Sequence, residues 1–267
     1  MSLLHLVLVA LVQGITEFLP VSSSGHLILL PRLTGLQDQG LVIDVAVHVG
    51  TLGAVVLYFW RDVRKVLHGT GRLLRGKVDT QSAFLALCLV TATVPVVIAG
   101  AALALLDLTE ALRSIAVIGW TMLIFGIVLW WADTKSPQHR RAAQWTLKDA
   151  AIMGLWQVLA LIPGTSRSGI TITAGRALGY ERHEAARLAM LMSIPTIAAS
   201  GLVVAVDVAA EADWAAARDG VLAAALAFVS ALLALAVMMR LAKRISFTPY
   251  VVYRVGLGLV LLWIAYT

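Results

Sequence analysis

Apolar residues in this chain occur in long runs that are separated by short charged stretches. Runs of about 20 apolar residues have the length of a helix that crosses a bilayer. The weaker alternation of apolar and polar residues that is typical of a membrane barrel is not seen. The pattern predicts six transmembrane helices, at about residues 43–60, 82–106, 114–131, 183–206, 220–239 and 249–267.

Two further apolar segments, residues 2–34 and 147–180, are interrupted by a proline and by small polar residues. The first is too short for two full crossings, which need about 20 residues each and a turn. We therefore predict re-entrant helical hairpins, the first with half-helices over 2–18 and 24–34. Non-helical backbone at membrane depth persists only where protein buries it or water reaches it, so both hairpins are candidate sites.

Composition agrees with a membrane protein. Of 267 residues, 60% are hydrophobic and 13% are charged, whereas soluble domains carry about 25% charged residues. The net charge of +6 comes from Lys and Arg residues that lie beside the apolar runs. This placement indicates orientation in the membrane and argues against nucleic acid as a partner.

The charged connections orient the predicted helices. Connections 61–80, 132–148 and 240–244 are rich in Lys and Arg, while 207–219 is acidic and the short connection 107–113 is mildly so. The positive-inside rule places the three basic connections in the cytoplasm. The two hairpins then enter the membrane from opposite sides.

Each hairpin is followed by three predicted spans, so the two halves share one plan in opposite orientations. We predict a single all-α membrane domain that is built as an inverted-topology repeat, with halves at residues 1–131 and 147–267. Sites in such proteins usually lie near the midplane, between the repeats.

The turns of the two hairpins carry similar polar residues. Residues 20–23 (PVSS) align with residues 163–166 (PGTS). Each turn precedes a new half-helix, whose free backbone N–H groups and partial positive charge suit an anion. Taken alone, however, the serines are better explained as helix caps or packing residues.

Glu17 and His26 favour a chemical role for the first turn. Glu17 and Gln13 are spaced i, i+4 and share a helical face. His26 follows Ser23 by three residues, and a histidine is the usual base for a serine nucleophile. A carboxylate can orient that histidine or help to bind a divalent cation. By contrast, His48 lies in an apolar span. We interpret it as a packing residue or as a residue that contacts the side chains of the site but not the substrate.

Arg167 lies in the second turn. Placing its guanidinium in a membrane costs free energy unless it binds a carboxylate, carbonyls or phosphate. Its planar fork matches phosphate oxygens. Phosphate binding and a salt bridge to Glu17 both stay open, and they can alternate if the salt bridge forms without substrate. The other hydroxyl residues of the turns are candidates for substrate binding: Ser22, Ser24, Thr165, Ser166, Ser168 and Thr171.

With residues 13–26 (QGITEFLPVSSSGH) and 163–171 (PGTSRSGIT), the chain resembles the undecaprenyl-diphosphate phosphatase family named for bacitracin resistance. The likeness covers nearly the whole chain in the order of its spans, and includes residues 48–52 (HVGTL) and 185–187 (AAR). The resemblance implies a hydrolase that removes the terminal phosphate of undecaprenyl diphosphate and so recycles the carrier lipid of cell-wall peptidoglycan synthesis. It also implies the bacterial inner (cytoplasmic) membrane, with the site open to the outer face.

The resemblance further implies roles for single residues and a need for a divalent cation, Mg²⁺ or Ca²⁺. Ser23 matches the nucleophile of the family, and His26, Arg167 and Glu17 match its histidine, arginine and acidic residue. Many members have a glutamate where this chain has Gln13. An amide oxygen can still donate one ligand, so Glu17 with Gln13 predicts weaker metal coordination.

A transporter or flippase for an anionic polyprenyl lipid is the alternative, because inverted repeats with broken helices are common in transporters. Such a protein needs an arginine for the head group, but no nucleophile with a base. The set Glu17, Ser23 and His26 therefore favours the enzyme. The oligomeric state stays open, a homodimer included.

Overall fold

All regular structure in the described part of the chain is helical. The computed structural model describes residues 2–35, 39–106, 112–211 and 214–267, without the side chains of residues 32–33, 203–211 and 214–216. Short 3₁₀ turns occupy Ala142–Gln144 and Leu159–Leu161. The α-helices are α1 (Leu3–Thr16), α2 (Ser23–Thr34), α3 (Leu41–Tyr58), α4 (Trp60–Leu73), α5 (Gln81–Leu105), α6 (Ile115–Lys135), α7 (Leu147–Val158), α8 (Arg167–Ala177), α9 (Arg182–Glu211), α10 (Trp214–Leu241) and α11 (Thr248–Tyr266).

Six helices of the described chain are long and apolar enough to cross a membrane. Each overlaps one predicted span, so the all-α fold with six transmembrane helices is confirmed. Large exposed apolar side chains such as Ile98, Leu233 and Trp263 cover the outer faces of these helices, which suits contact with lipid. The six spans are Leu41–Tyr58, Gln81–Leu105, Ile115–Lys135, Arg182–Leu202, Ala217–Leu241 and Thr248–Tyr266.

The basic connection predicted over residues 61–80 contains α4, a helix that we did not predict. Its Lys and Arg residues made the segment resemble a solvated loop, but they occupy one face of an amphipathic helix. Asp62 on its buried side accepts hydrogen bonds of 3.1 and 2.7 Å from Arg187 of α9. The ion pair ties α4 to the helix bundle.

The acidic connection between α9 and α10 is shorter than the predicted range of residues 207–219. Helix α9 continues to Glu211 and α10 begins at Trp214, so helix occupies most of this stretch. Residues 212–213 lie outside the described residues, as do residues 107–111 of the other acidic connection.

The helices pair in a pattern that is compatible with the predicted repeat. Helices α1 and α3 both pack on α10, and their counterparts α7 and α9 both pack on α5. Glycine permits close approach in both groups, because an added Cβ at Gly50 would lie 2.2 Å from Ala224 O and one at Gly154 would lie 2.6 Å from Ala92 O. The short pairs α1–α2 and α7–α8 are likewise compatible with the predicted hairpins.

A network of buried charged side chains holds the C-terminal end of α8. Arg176, which is fully buried, donates through Nε to Asp133 Oδ1 of α6 at 3.0 Å. Arg182 of α9 donates to the same oxygen at 2.7 Å. Because a buried ion needs such partners, the network holds α8 in one position between α6 and α9.

Candidate active site

The loops that follow α1 and α7 have the same local geometry. Ser22 and Ser166 have φ angles of 73° and 70°, which residues other than glycine rarely adopt. Each Oγ accepts a hydrogen bond from the backbone N–H three residues on, at Gly25 (3.3 Å) and Gly169 (3.1 Å). Each serine therefore caps the helix that follows. Backbone conformations of this kind cost about 1 kcal/mol or more and concentrate at functional sites.

The two loops are joined to each other. Ser168 Oγ in the first turn of α8, directly after the second loop, donates to Leu19 O in the first loop at 2.9 Å. Arg254 of α11 donates to Pro20 O (3.2 Å) and to Gly164 O (3.1 Å), and it is fully buried. One guanidinium thus fixes the distance between the two turns.

Glu17 lies at the centre of this contact, and both of its carboxylate oxygens accept hydrogen bonds. Oε1 accepts from Arg167 of the second loop. Oε2 accepts from Ser23 Oγ at 2.6 Å and from Gln13 Nε2 at 2.8 Å. Because an ionised carboxylate can only accept, the Ser23 proton points at Glu17. The structure therefore places a carboxylate, and not an imidazole, beside the Ser23 hydroxyl.

Arg167 forms the salt bridge to Glu17 that the sequence left open. Its Nη1 also donates to Ser193 O at 3.0 Å. Two of the five guanidinium N–H groups are used in this way, which leaves three for an anion. Phosphate binding is therefore compatible with the salt bridge.

A cavity of about 220 Å³, which we call the loop cavity, is lined by Glu17, Ser23 and Arg167. One part of its wall is polar and another is apolar, which suits a ligand with an anionic head and a hydrocarbon tail. Its other polar lining residues include Ser22, Ser24, His48, Ser166 and Thr196, and its apolar ones include Val96, Leu161 and Ile197.

His26 contacts α11 and forms no hydrogen bond with Ser23 among the described contacts. Its Nδ1 is 2.6 Å from Ser22 O, and since a carbonyl only accepts, Nδ1 carries a proton. In the neutral ring Nε2 then accepts from the hydroxyl of Tyr253 at 2.6 Å. The two rings are nearly parallel, with centroids 5.7 Å apart. Both nitrogens of His26 are thus engaged away from Ser23, which pairs with Glu17 instead.

Tyr253 is expected to position His26. In Tyr253→Phe the ring contact is kept, but Nε2 loses its donor, so His26 holds the Ser22 carbonyl less firmly. We expect kcat to fall about tenfold, the value of one hydrogen bond, with little change in KM. Steady-state kinetics with a polyprenyl diphosphate measures both. In a His26→Ala background the same change should have no further effect, and an additive loss would contradict positioning through His26.

The remaining predicted binding residues divide into two groups. Ser22, Ser24 and Ser166 line the loop cavity. Ser168, Thr171 and Thr165 do not line it in the described part of the chain. Ser168 joins the loops, and Thr171 Oγ1 donates to Arg167 O at 2.8 Å. Thr165 Oγ1 is buried and has no hydrogen-bond partner among the described residues.

The residues near Glu17 fit a divalent cation that arrives with a phosphate. Gln13 Nε2 must face the carboxylate, which turns Gln13 Oε1 away, and this buried oxygen has no partner among the described residues. No group of three His, Cys, Asp or Glu side chains suited to a metal occurs in the described part of the chain. Mg²⁺ is usually bound by one or two carboxylates together with substrate phosphates. Glu17 offers one such carboxylate, and Gln13 offers an amide oxygen that has no protein partner among the described residues.

Sequence reasoning missed Tyr253 and Arg254. Their partners lie more than 200 residues away, at His26 and Pro20, and no local spacing reveals such a contact. One signal was present, because Arg254 is a charged residue inside a predicted span, and such residues are usually functional.

The fold and the site together define a polytopic membrane protein whose polar cluster suits an anionic group on an apolar ligand. The chain belongs to the bacitracin resistance protein BacA family, which matches residues 6–260. It is 71% identical over 267 residues to the undecaprenyl-diphosphatase of Roseobacter denitrificans and 68% identical to that of Ruegeria pomeroyi, with all of each chain covered. It is 47% identical to undecaprenyl-diphosphatase 1 of Rhodospirillum rubrum, over all of this chain and 96% of that one.

Proposed function

We propose that the protein hydrolyses undecaprenyl diphosphate to the monophosphate and inorganic phosphate, the activity for which its relatives are named. One observation carries the proposal. Ser23 donates to Glu17 at 2.6 Å while Arg167 pairs with the same carboxylate. All three side chains line the loop cavity, and the proposal assigns them the roles of nucleophile, base and anion-binding group.

In the proposed first step, Ser23 Oγ attacks the terminal phosphorus and its proton passes to Glu17. The bond from that phosphorus to the bridging oxygen breaks, and the lipid monophosphate leaves. Arg167 and the amide groups at the start of α2 and α8 stabilise the charge on the transferred group. Water then attacks phosphoserine and releases phosphate.

His26 acts in this proposal by positioning the first loop. Its Nδ1–H bond to Ser22 O holds the turn that presents Ser23. A phosphate monoester is a good leaving group near neutral pH, since its second pKa is about 6. The leaving group therefore has little need of an acid, and His26 can serve the reaction without touching it.

We propose that Glu17 and Gln13 hold a divalent cation, Mg²⁺ or Ca²⁺, together with the phosphates of the substrate. When bound, the cation neutralises phosphate charge. A neutral amide beside one carboxylate makes this site weak before the substrate arrives.

We also propose that the protein resides in the bacterial inner membrane, with the loop cavity reached from the outer face. The positions of the basic connections support this orientation. The polyprenyl chain would lie among the apolar residues of the cavity wall.

Phosphate release from undecaprenyl diphosphate by the purified protein, with Mg²⁺ and with a chelator, tests the function. We expect release that the chelator abolishes and that added Mg²⁺ restores. Lipid binding without any release under Mg²⁺ or Ca²⁺ would overturn the hydrolase and favour the carrier for an anionic lipid.

A Gln13→Glu variant tests the cation site. The second carboxylate should lower the Mg²⁺ concentration for half-maximal activity by about tenfold, because hard cations prefer charged oxygen ligands. Mg²⁺ titrations of activity and of thermal stability give two independent readings. An unchanged or higher Mg²⁺ requirement in both would place the cation away from Gln13.

A further inference from the structure

His48 has a hydrogen-bonding arrangement that suits a proton acceptor. Its Nδ1 is 2.7 Å from Asp44 O, a carbonyl one turn back on α3, so Nδ1 carries a proton. In the neutral ring the lone pair then lies on Nε2. Among the described residues, none forms a hydrogen bond with Nε2. The backbone of α3 therefore holds the ring in one tautomer with its basic nitrogen available.

His48 lines the loop cavity together with Ser23, Glu17 and Arg167. A second cavity, of about 280 Å³, adjoins the first, and His48, Ser24 and Leu161 line both. We call it the adjoining cavity. His48 therefore stands at the boundary between the two.

The proposed reaction needs a second proton acceptor. In the first step Glu17 takes the proton of Ser23, so a protonated Glu17 faces the phosphoserine. That proton must return to Ser23 Oγ when the phosphorus–oxygen bond breaks. The attacking water also loses a proton in this step, and Glu17 cannot accept it while it is already protonated.

We propose that His48 is the catalytic base of the second step, a role that rests on the proposed function. Water forms a bond to phosphorus as its proton passes to His48 Nε2. The bond between phosphorus and Ser23 Oγ breaks, and Oγ takes the proton from Glu17. The products are inorganic phosphate, free Ser23, ionised Glu17 and protonated His48.

The adjoining cavity then serves the return of His48 to its neutral form. It is partly open, and Arg113 lines it together with His48 and Asp44. His48 can pass its proton to water there, on the side away from Ser23.

His48→Gln is the variant that tests this role, because glutamine keeps polar atoms but does not accept a proton near neutral pH. We expect kcat for phosphate release to fall about 100-fold, a usual value for a general base. The first step should survive, so one equivalent of lipid monophosphate should appear in a burst and phosphoserine should accumulate at Ser23. Rapid-quench kinetics and mass spectrometry of the quenched enzyme measure both.

His68→Gln, an identical exchange at an exposed position on α4, is the matched control and should behave as wild type.

Two outcomes would overturn the assignment. These are wild-type kcat in His48→Gln, or loss of activity without a burst or phosphoserine. Failure of the proposed function itself looks different, since the wild-type protein would then release no phosphate in the same assay.

Discussion

Ser23→Ala is expected to lower phosphate release by about 10⁴-fold, because removal of a nucleophile disables the whole catalytic unit around it. Alanine keeps the helix start but removes the hydroxyl that donates to Glu17 at 2.6 Å. The residual rate would come from Arg167 and from the backbone N–H groups that bind the phosphate. Single-turnover release of phosphate, with quenched samples analysed for phosphoserine, measures the effect.

The control for this variant is Ser82→Ala, the same change in α5 at a residue that does not line the loop cavity. It should keep wild-type rates. If Ser23→Ala retained more than about a tenth of the activity, attack by a metal-activated water would replace the covalent step. The thermal stability of Ser23→Ala should stay close to that of the wild type, since its hydroxyl is only partly buried.

Arg167→Ala is expected to lower phosphate release by about 10³-fold, which is the contribution of an arginine that stabilises a transferred phosphoryl group. Arg167→Lys should recover part of this, because lysine keeps the charge but lacks the planar fork. Wild-type rates in Arg167→Lys would contradict bidentate recognition of phosphate. The assay is the same release of phosphate, with substrate varied so that kcat and KM separate.

Arg167→Ala also removes the partner of a buried carboxylate. Glu17 is 7% exposed, and breaking a buried ion pair typically costs about 3–5 kcal/mol. The double variant Glu17→Gln, Arg167→Ala removes both charges, so we expect it to regain thermal stability without regaining activity. Recovery of activity in the double variant would show that Arg167 matters for folding alone.

The sequence predicted those residues of the candidate site whose burial in a membrane costs free energy. Glu17 and Arg167 are charged residues in apolar segments, and the energy of burying them requires a partner or a ligand. That requirement predicted an interaction between Glu17 and Arg167 from the sequence alone. The six spans were predictable for a related reason, since their length and apolar composition match the bilayer.

The sequence could not predict which helices pack against the side chains of α2. The spacing of Ser23 and His26 places both on one side of a helix, but it does not say what packs there. His26 contacts Tyr253 of α11, while Ser23 contacts Glu17, the residue that follows α1. Helix α4 was missed for a different reason, because a dense run of basic residues has the composition of a loop as well as of a surface helix.

Arg254 has a consequence for the order in which the protein is made. It lies in α11, which follows both loops along the chain, and it alone donates to both Pro20 O and Gly164 O among the described contacts. A growing chain therefore contains Glu17, Ser23 and Arg167 before it contains Arg254, whose side chain donates to both turns. The nascent protein carries the parts of a phosphatase, but activity should begin only when the helix that contains Arg254 enters the membrane.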